Sequence, residues 1–247
     1  MSINGPEELA AMQAAGAVVC LMLEAMKAEV RPGISTAELD EVGAGVMRQH
    51  GARSAPALVY GFPGVSCISL NDEAVHGVPG KRELRGGDLV KLDVTVEKDG
   101  FMADAAVTVP VGEVTEERQQ LVDCAERAFT KAMLVARAGF RISEIGRVVE
   151  REVRRCGFSV IRNLAGHGIG RTIHEEPRVP NYADPEATQV LTEGLVITVE
   201  PIIAAGSGRS YVADDKWTIV TADHRPSAHY EHTLVITEGA PMLLTAA

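Results

Sequence analysis

The chain repeats part of its own pattern at a spacing of 106 to 107 residues. The first spacing rests on five identities, in which Arg31, Gly33, Glu38, Arg48 and Gly51 are matched by Arg137, Gly139, Glu144, Arg154 and Gly157. The second aligns residues 87–93 with 194–200 and sets Asp93 against Glu200. Chance or common helix-end preferences could give so short a match, whereas a duplicated unit explains its constant register. The repeat predicts one domain, 1–247, built from similar halves at about 1–112 and 113–247.

Both halves show the same order of predicted elements. Helical patterns cover about 6–30 and 35–51 in the first half, and about 115–138 and 143–156 in the second. Strand-like runs follow each helix pair, including 65–70 and a hairpin over 90–109. Helices packed on antiparallel strands in each half indicate an α+β fold.

The hairpin, KLDVTVEKDGFMAD at 91–104, brings two acidic residues together. Asp99-Gly100 is a strong turn signal, and the apolar alternation on both sides places Asp93 and Asp104 on one face. A two-residue turn sets them diagonally, about 7 Å apart, and a longer even loop sets them opposite, about 5 Å apart. A three-residue loop would separate them. Like charges this close need a shared proton, an Arg or Lys, a metal ion, or full solvation on an exposed face.

The repeat adds two more carboxylates. Glu200 is the counterpart of Asp93, and the last strand-like run, 230–236, supplies Glu231 as the counterpart of Asp104. Halves related by a pseudo-twofold axis would bring all four to one centre. Because four clustered carboxylates cannot all stay ionised in a partly buried site without cations, a metal centre is favoured over a solvated surface.

Histidines lie near these carboxylates in the predicted fold. The stretch GHGIGRTIHEEP at 166–177 contributes His167 and His174, and His76 lies at another turn beside a strand. Glycines at alternate positions resemble a dinucleotide loop, but Pro177 and Pro180 leave no room for the helix that such a loop requires. The remaining histidines are interpreted as structural: His50, His224, His229 and His232.

Four carboxylates and one imidazole form a site of mostly hard oxygen ligands. This set suits Mn²⁺, Fe²⁺ or Co²⁺ and also accommodates Zn²⁺. Two such ions about 3.5–4 Å apart activate a water and polarise a carbonyl. The sequence therefore predicts metal-assisted hydrolysis.

Composition excludes several other classes of function. A net charge of −10 disfavours stable binding to nucleic acid or anionic membranes. The apolar run 9–23 is too short to span a bilayer. The four cysteines have no CxxC spacing and are interpreted as reduced packing residues: Cys20, Cys67, Cys124 and Cys156. A cytoplasmic protein is expected.

These residues together resemble the type I methionine aminopeptidases, which are hydrolases of the pita-bread fold in peptidase family M24. The resemblance covers nearly the whole chain. Its motifs are KLDVTV with Asp93, GFMAD with Asp104, GHGIG with His167, IHEEP with His174, VITVEP with Glu200, and AHYEHT with Glu231.

The resemblance implies a centre of two divalent ions, drawn from Co, Mn, Fe, Zn and Ni. One ion would be held by Asp93, Asp104 and Glu231. The other would be held by Asp104, His167, Glu200 and Glu231. Asp104 and Glu231 would then bridge the two ions.

The resemblance also implies the catalytic and substrate-binding residues. Glu200 would accept a proton from the attacking water, His174 would donate a hydrogen bond to the scissile carbonyl, and His76 would contact the scissile nitrogen. A pocket for the methionine side chain would be lined by Phe62, Cys67 and Trp217.

Three departures from the family pattern concern this pocket. Phe62 stands where tyrosine is common, Pro56 where cysteine is common, and Ile173 where an aromatic residue is frequent. They affect substrate preference rather than the hydrolytic chemistry.

The function implied is removal of the initiator methionine from nascent proteins and peptides whose second residue is small. A cytoplasmic monomer with transient ribosome contact is expected. Two alternatives remain: an Xaa-Pro aminopeptidase of the same fold, which in that family carries a large N-terminal domain, and a non-catalytic binding protein, which would be expected to have lost ligands.

Overall fold

The computed structural model describes residues 1–246. Its helices are α1 (Pro6–Glu29), α2 (Thr36–Gln49), α3 (Ala55–Tyr60), α4 (Glu116–Ala132) and α5 (Ile142–Arg155). Its strands are β1 (Arg53–Ser54), β2 (Cys67–Leu70), β3 (Glu73–Val75), β4 (Leu89–Lys98), β5 (Phe101–Pro110), β6 (Ser159–Val160), β7 (Ala165–Gly168), β8 (Glu175–Pro180), β9 (Val196–Val199), β10 (Ile202–Ala204), β11 (Ser210–Val212), β12 (Ile219–Thr221), β13 (Ser227–His229), β14 (Glu231–Val235) and β15 (Met242–Leu243). The predicted α+β class is confirmed.

The repeat is visible in the helices. α2 spans 36–49 and α5 spans 142–155, so both ends are separated by the 106 residues found in the sequence. α2 begins with the expected capping box, in which Ser35 and Glu38 satisfy each other's backbone N–H groups. Helix α4 is shorter than the sequence predicted, because it ends at Ala132 rather than near residue 138. Beyond it the chain tightens into turns, and Ala138 N–H donates to the Thr237 carbonyl.

A large sheet joins the two halves. Its strand order is β1-β4-β5-β14-β9-β7-β8, with β2 added on β4 and β15 on β14. The long hairpin β4-β5 of the first half therefore lies directly beside β14-β9 of the second half. The pair β5 and β14 meets at the middle of this arrangement.

The hairpin has the two-residue turn. Lys98 pairs with Phe101, and the central residues Asp99 and Gly100 have φ angles of 51° and 86°. Positive φ at both positions matches the tight turn that the Asp-Gly signal predicts. In this register Asp104 lies opposite Thr95 rather than opposite Asp93. The diagonal arrangement is therefore the one adopted.

Helix α1 is a core helix that packs on β4 and β5. Its side chains Met12, Val19 and Met22 are fully buried. The helix extends beyond the apolar run 9–23 and, with a mean hydropathy of 1.7, is long and apolar enough to cross a bilayer. The expectation that it is too short was wrong. Burial against the sheet, and not length, identifies it as part of the core.

Candidate metal centre

The predicted acidic residues lie close together on one face of four neighbouring strands, β4, β5, β14 and β9, with Glu200 directly after β9. Asp93 on β4 and Glu231 on β14 both pair with Ala106, which lies between them on β5. The register of β14 with β9, in which His232 faces Val199, continues to set Glu200 beside Glu231. Asp104 lies two residues along β5 from Ala106. Period-2 alternation therefore points four carboxylates from distant parts of the chain to the same face.

These carboxylates border a cavity of about 250 Å³ together with His76, His167 and His174. Asp104, Glu200 and Glu231 are 6%, 8% and 2% exposed. Among the described residues, Asp104 Oδ1 and Glu231 Oε1 have no hydrogen-bond partner. Buried oxygens without donors are costly unless a cation binds them.

Electrostatics also favours a cation here. Burial, reinforced by the neighbouring carboxylates, raises the pKa values of Asp104, Glu200 and Glu231 well above their usual range. Burial raises the pKa of Asp93 as well. Ligand atoms of Asp104, His167 and Glu231 lie within 4.8 Å of one another. The residues present therefore fit a divalent metal ion.

His167 presents one ring nitrogen to this cluster. Its Nδ1–H donates to the carbonyl of Gly168 at 2.8 Å, which leaves the Nε2 lone pair facing Glu200 Oε1 at 3.7 Å. Burial lowers the pKa of His167 to about 3, so the ring is neutral at physiological pH. This is the tautomer that a metal-binding imidazole needs.

The glycines around His167 serve strand packing. A Cβ at Gly166 would lie 2.5 Å from the Thr198 carbonyl, and one at Gly168 would lie 2.2 Å from the Glu176 carbonyl. No larger residue fits between these backbones. The rejection of a dinucleotide loop is consistent with this, because β7 continues into the sheet.

Thr198 and Asn181 orient Glu200, although sequence reasoning did not single them out. Thr198 Oγ1 donates to Glu200 Oε1 at 3.0 Å and accepts from the His167 backbone N–H at 3.1 Å. Asn181 Nδ2 donates to the Glu200 carbonyl at 2.8 Å. Both side chains are buried. Thr198 stands two residues before Glu200, so its place on the same strand face was the available signal.

His174 lies at the rim of the cavity. Its ring packs on that of His167 with centroids 4.3 Å apart, and its Nδ1 is 2.6 Å from the hydroxyl oxygen of Tyr60. Partial burial lowers the pKa of His174. Tyr60 was not predicted, because no local pattern connects two residues that lie 114 positions apart.

His76 reaches the same cavity from an unusual backbone conformation. Its φ angle is 58°, a left-handed value that histidine adopts more readily than most residues. Burial lowers the pKa of His76 to about 4, so this imidazole is also neutral. Such conformations are found at functional sites more often than elsewhere.

A smaller cavity of about 80 Å³ adjoins the carboxylates. The predicted pocket residues line it, and Phe62 meets Trp217 edge to face with ring centroids 5.3 Å apart. Cys67 borders it from β2, directly opposite Asp93. Pro56 and Ile173, two of the departures from the family pattern, also line this cavity.

The structure places His229, which the sequence analysis assigns a structural role, beside the predicted carboxylates. It is 2% exposed and borders the large cavity beside Glu200 and Glu231. His229 is the last residue of β13, and Tyr230 alone separates it from Glu231, the first residue of β14. No motif distinguishes it in the sequence, because its position depends on how β13 turns into β14.

Comparisons with known proteins agree with this geometry. The profile of metallopeptidase family M24 matches residues 10–238. Methionine aminopeptidase 2 of Bacillus subtilis is 43% identical over 247 residues, with 99% of each chain covered. The crystal structure of a methionine aminopeptidase from Thermotoga maritima aligns with a TM-score of 0.97 at 34% identity, covering 100% of both chains.

A prolidase from Pyrococcus furiosus aligns less closely. Its TM-score is 0.81 at 23% identity, and the alignment covers 99% of this chain and 65% of the prolidase. That likeness shows the shared fold alone. Together these comparisons confirm the pita-bread fold that the sequence motifs implied.

Proposed function

This chain belongs to metallopeptidase family M24, and we propose that its buried acidic cluster is the centre at which it removes methionine from the N-termini of proteins and peptides. The proposal is carried by two buried carboxylate oxygens, Asp104 Oδ1 and Glu231 Oε1, which have no hydrogen-bond partner within residues 1–246. They border a cavity that adjoins an apolar pocket. The enzyme is a metal-dependent aminopeptidase. Its full-length similarity to methionine aminopeptidases favours this activity over both alternatives.

The ligand set would be divided between two divalent ions. Asp93, Asp104 and Glu231 would hold one ion, and Asp104, His167, Glu200 and Glu231 would hold the other; all five residues line the same cavity. When bound, such ions act as Lewis acids and lower the pKa of water. Burial and the neighbouring carboxylates raise the pKa values of Glu200 and Glu231, which favours protonated carboxylates before the ions bind.

Three side chains move or hold protons during hydrolysis. Glu200, held by Thr198, accepts a proton from the attacking water. His174 donates a hydrogen bond to the scissile carbonyl oxygen as charge develops on it. His76 contacts the scissile nitrogen and assists its protonation. Both imidazoles have lowered pKa values and are neutral at physiological pH.

Substrate choice depends on the apolar cavity beside the centre. Phe62, Cys67 and Trp217 enclose the methionine side chain there. Cys67 lies opposite Asp93 in the sheet, so the pocket opens directly next to a metal ligand. A small second residue is preferred, as in N-terminal methionine excision.

The functional unit is a single catalytic domain, 1–247, whose halves at about 1–112 and 113–247 meet at the centre. Each half contributes two of the four carboxylates. The enzyme acts as a cytoplasmic monomer on nascent chains, with transient ribosome contact. A net charge of −10 disfavours stable binding to nucleic acid.

A comparison of two peptides tests the activity. We expect the metal-loaded enzyme to cleave Met-Ala-Ser and to leave Ala-Pro-Ala intact. The variants Asp104→Asn and Glu231→Gln should lose the activity along with metal, measured by elemental analysis, while retaining the folded circular dichroism spectrum. Turnover of Ala-Pro-Ala without turnover of Met-Ala-Ser would overturn the assignment.

A further inference from the structure

His229 is a buried histidine whose ring has no ordinary partner. Within residues 1–246, neither its Nδ1 nor its Nε2 makes a hydrogen bond. Its Nε2 lies 3.3 Å from Glu231 Oε2 and 3.8 Å from Glu200 Oε2. Ligand atoms of these three residues lie within 4.8 Å of one another. The ring therefore faces two carboxylates already assigned to the metal centre.

The backbone holds this ring in place. His229 N–H donates to Thr108 Oγ1 at 2.8 Å, and the Thr108 hydroxyl donates to the His229 carbonyl at 2.8 Å. On its other side His229 pairs with Ile202 of β10. Anchors on two separate strands fix the direction in which the side chain points.

The separations match those between ligands of one ion. Ligand atoms placed about 2.1 Å from a tetrahedral ion lie about 3.4 Å from one another. The Nε2 separations of 3.3 and 3.8 Å are close to that spacing, as is the 3.7 Å between His167 Nε2 and Glu200 Oε1. Among the described residues, neither ring nitrogen forms a hydrogen bond despite this proximity.

His232, on the neighbouring strand β14, shows how a buried histidine is usually hydrogen-bonded. His232 is also buried, but its Nδ1 is 2.9 Å from Thr245 Oγ1 and its Nε2 is 3.3 Å from the Tyr230 hydroxyl. Both nitrogens of that structural histidine have partners. Both nitrogens of His229 lack hydrogen-bond partners in the part of the chain that the structure describes, although Glu200 and Glu231 lie close by.

We propose that His229 is a sixth protein ligand, whose Nε2 binds the metal ion held by Glu200 and Glu231. The proposal rests on the metal centre proposed above and adds a second imidazole to it. Glu200 then lies between two rings, with Oε1 towards His167 and Oε2 towards His229. A second nitrogen shifts preference from Mn²⁺ towards Fe²⁺, Co²⁺, Ni²⁺ or Zn²⁺.

Nuclear magnetic resonance of the zinc-loaded protein tests this proposal directly. Long-range ¹H–¹⁵N spectra report which imidazole nitrogens bind the diamagnetic ion. We expect zinc to shift the ring nitrogens of two histidines in the unmodified protein. One of these signals should disappear in His229→Gln and the other in His167→Gln. The surface variant His224→Gln is the control and should retain both.

Zinc titration by calorimetry provides a second readout. His229→Gln should weaken zinc binding about tenfold or more, while His224→Gln should leave it unchanged. A single zinc-shifted imidazole that survives His229→Gln overturns the sixth ligand but leaves the proposed function intact if Met-Ala-Ser is still cleaved. No zinc-shifted histidine at all would overturn both proposals.

Discussion

The hydroxyl oxygen of Tyr60 lies 2.6 Å from Nδ1 of His174, across 114 residues of sequence. A neutral imidazole carries one N–H, and donation to a scissile carbonyl requires that proton on Nε2. The hydrogen bond must then run from the Tyr60 hydroxyl to Nδ1. We infer that Tyr60 is a positioning residue that fixes both the tautomer and the direction of the His174 ring.

Replacing Tyr60 by Phe removes this hydrogen bond and keeps the ring. We expect kcat for Met-Ala-Ser to fall about 2- to 10-fold, since one hydrogen bond contributes about 0.5–1.5 kcal/mol, with little change in KM. The control is Tyr211→Phe, because Tyr211 is 45% exposed and outside both active-site cavities. An unchanged kcat in Tyr60→Phe would contradict the positioning role.

Replacing His174 by Ala removes the donor itself. We expect kcat to fall about 10²- to 10³-fold, as loss of an oxyanion donor typically causes. If Tyr60 acts only through His174, the double variant should be no slower than His174→Ala. Steady-state kinetics of the unmodified enzyme, the two single variants and the double variant complete a double-mutant cycle. Additive losses would show that Tyr60 contacts the substrate on its own.

Glu200 is the proposed proton acceptor and a proposed metal ligand, and replacing it by Gln should remove the first role and weaken the second. Hydrolysis should slow far more than peptide binding weakens, because the proton is transferred only during reaction. We would measure kcat and KM for Met-Ala-Ser together with the metal content of each sample. The exposed variant Glu113→Gln should behave as the unmodified enzyme. A rise in KM with unchanged kcat would assign Glu200 to binding alone.

The clustering of the four carboxylates was predictable because it follows from strand alternation and from the internal repeat. Period-2 patterning fixed the face of Asp93 and Asp104, and the 107-residue repeat identified Glu200 as the partner of Asp93. Glu231 followed from the strand order. These residues are linked by backbone register, which local sequence encodes.

Other parts of the site depend on tertiary packing and could not be read from the sequence. Tyr60 meets His174 because α3 ends beside the loop before β8, and His229 reaches the carboxylates because β13 is pinned to Thr108. Neither contact is marked by a characteristic residue spacing in the sequence. The role of α1 was also decided by packing, since its length and composition alone suit a membrane as well as a core.

Enlarging the apolar pocket should reduce cleavage of peptides that begin with methionine. Phe62→Ala removes a ring that is 5% exposed and contacts Trp217. We expect kcat/KM for Met-Ala-Ser to fall by about 10- to 200-fold, the cost of about 1–3 kcal/mol of apolar contact. The matched substrate Ala-Ala-Ser, which cannot fill the pocket, should be affected much less. Equal losses of kcat/KM on both peptides would show that Phe62 does not take part in recognising methionine.

Metal binding should release protons, because the folded protein raises the pKa values of Asp104, Glu200 and Glu231. These protons stabilise the metal-free protein at low pH, and that stabilisation is lost as pH rises through the raised pKa values. The affinity for Mn²⁺ should therefore increase with pH across the same range. His167, with a pKa of about 3, contributes no proton near neutrality.

Calorimetry in buffers of different ionisation enthalpy counts the protons released on binding Mn²⁺ at pH 7. We expect at least about one proton per chain, and neither Mn²⁺ binding nor proton release in Asp104→Asn, which lacks a proposed metal ligand. The rise in melting temperature on adding Mn²⁺ should also be larger at pH 8 than at pH 6. Burial lowers the pKa of Lys91 to about 7, so this residue also titrates between pH 6 and pH 8. Because Lys91 is not a proposed metal ligand, its titration affects the melting temperature equally with and without Mn²⁺ and does not change the rise caused by the ion. Binding without proton release, with an affinity independent of pH, would show that the metal-free carboxylates are already ionised.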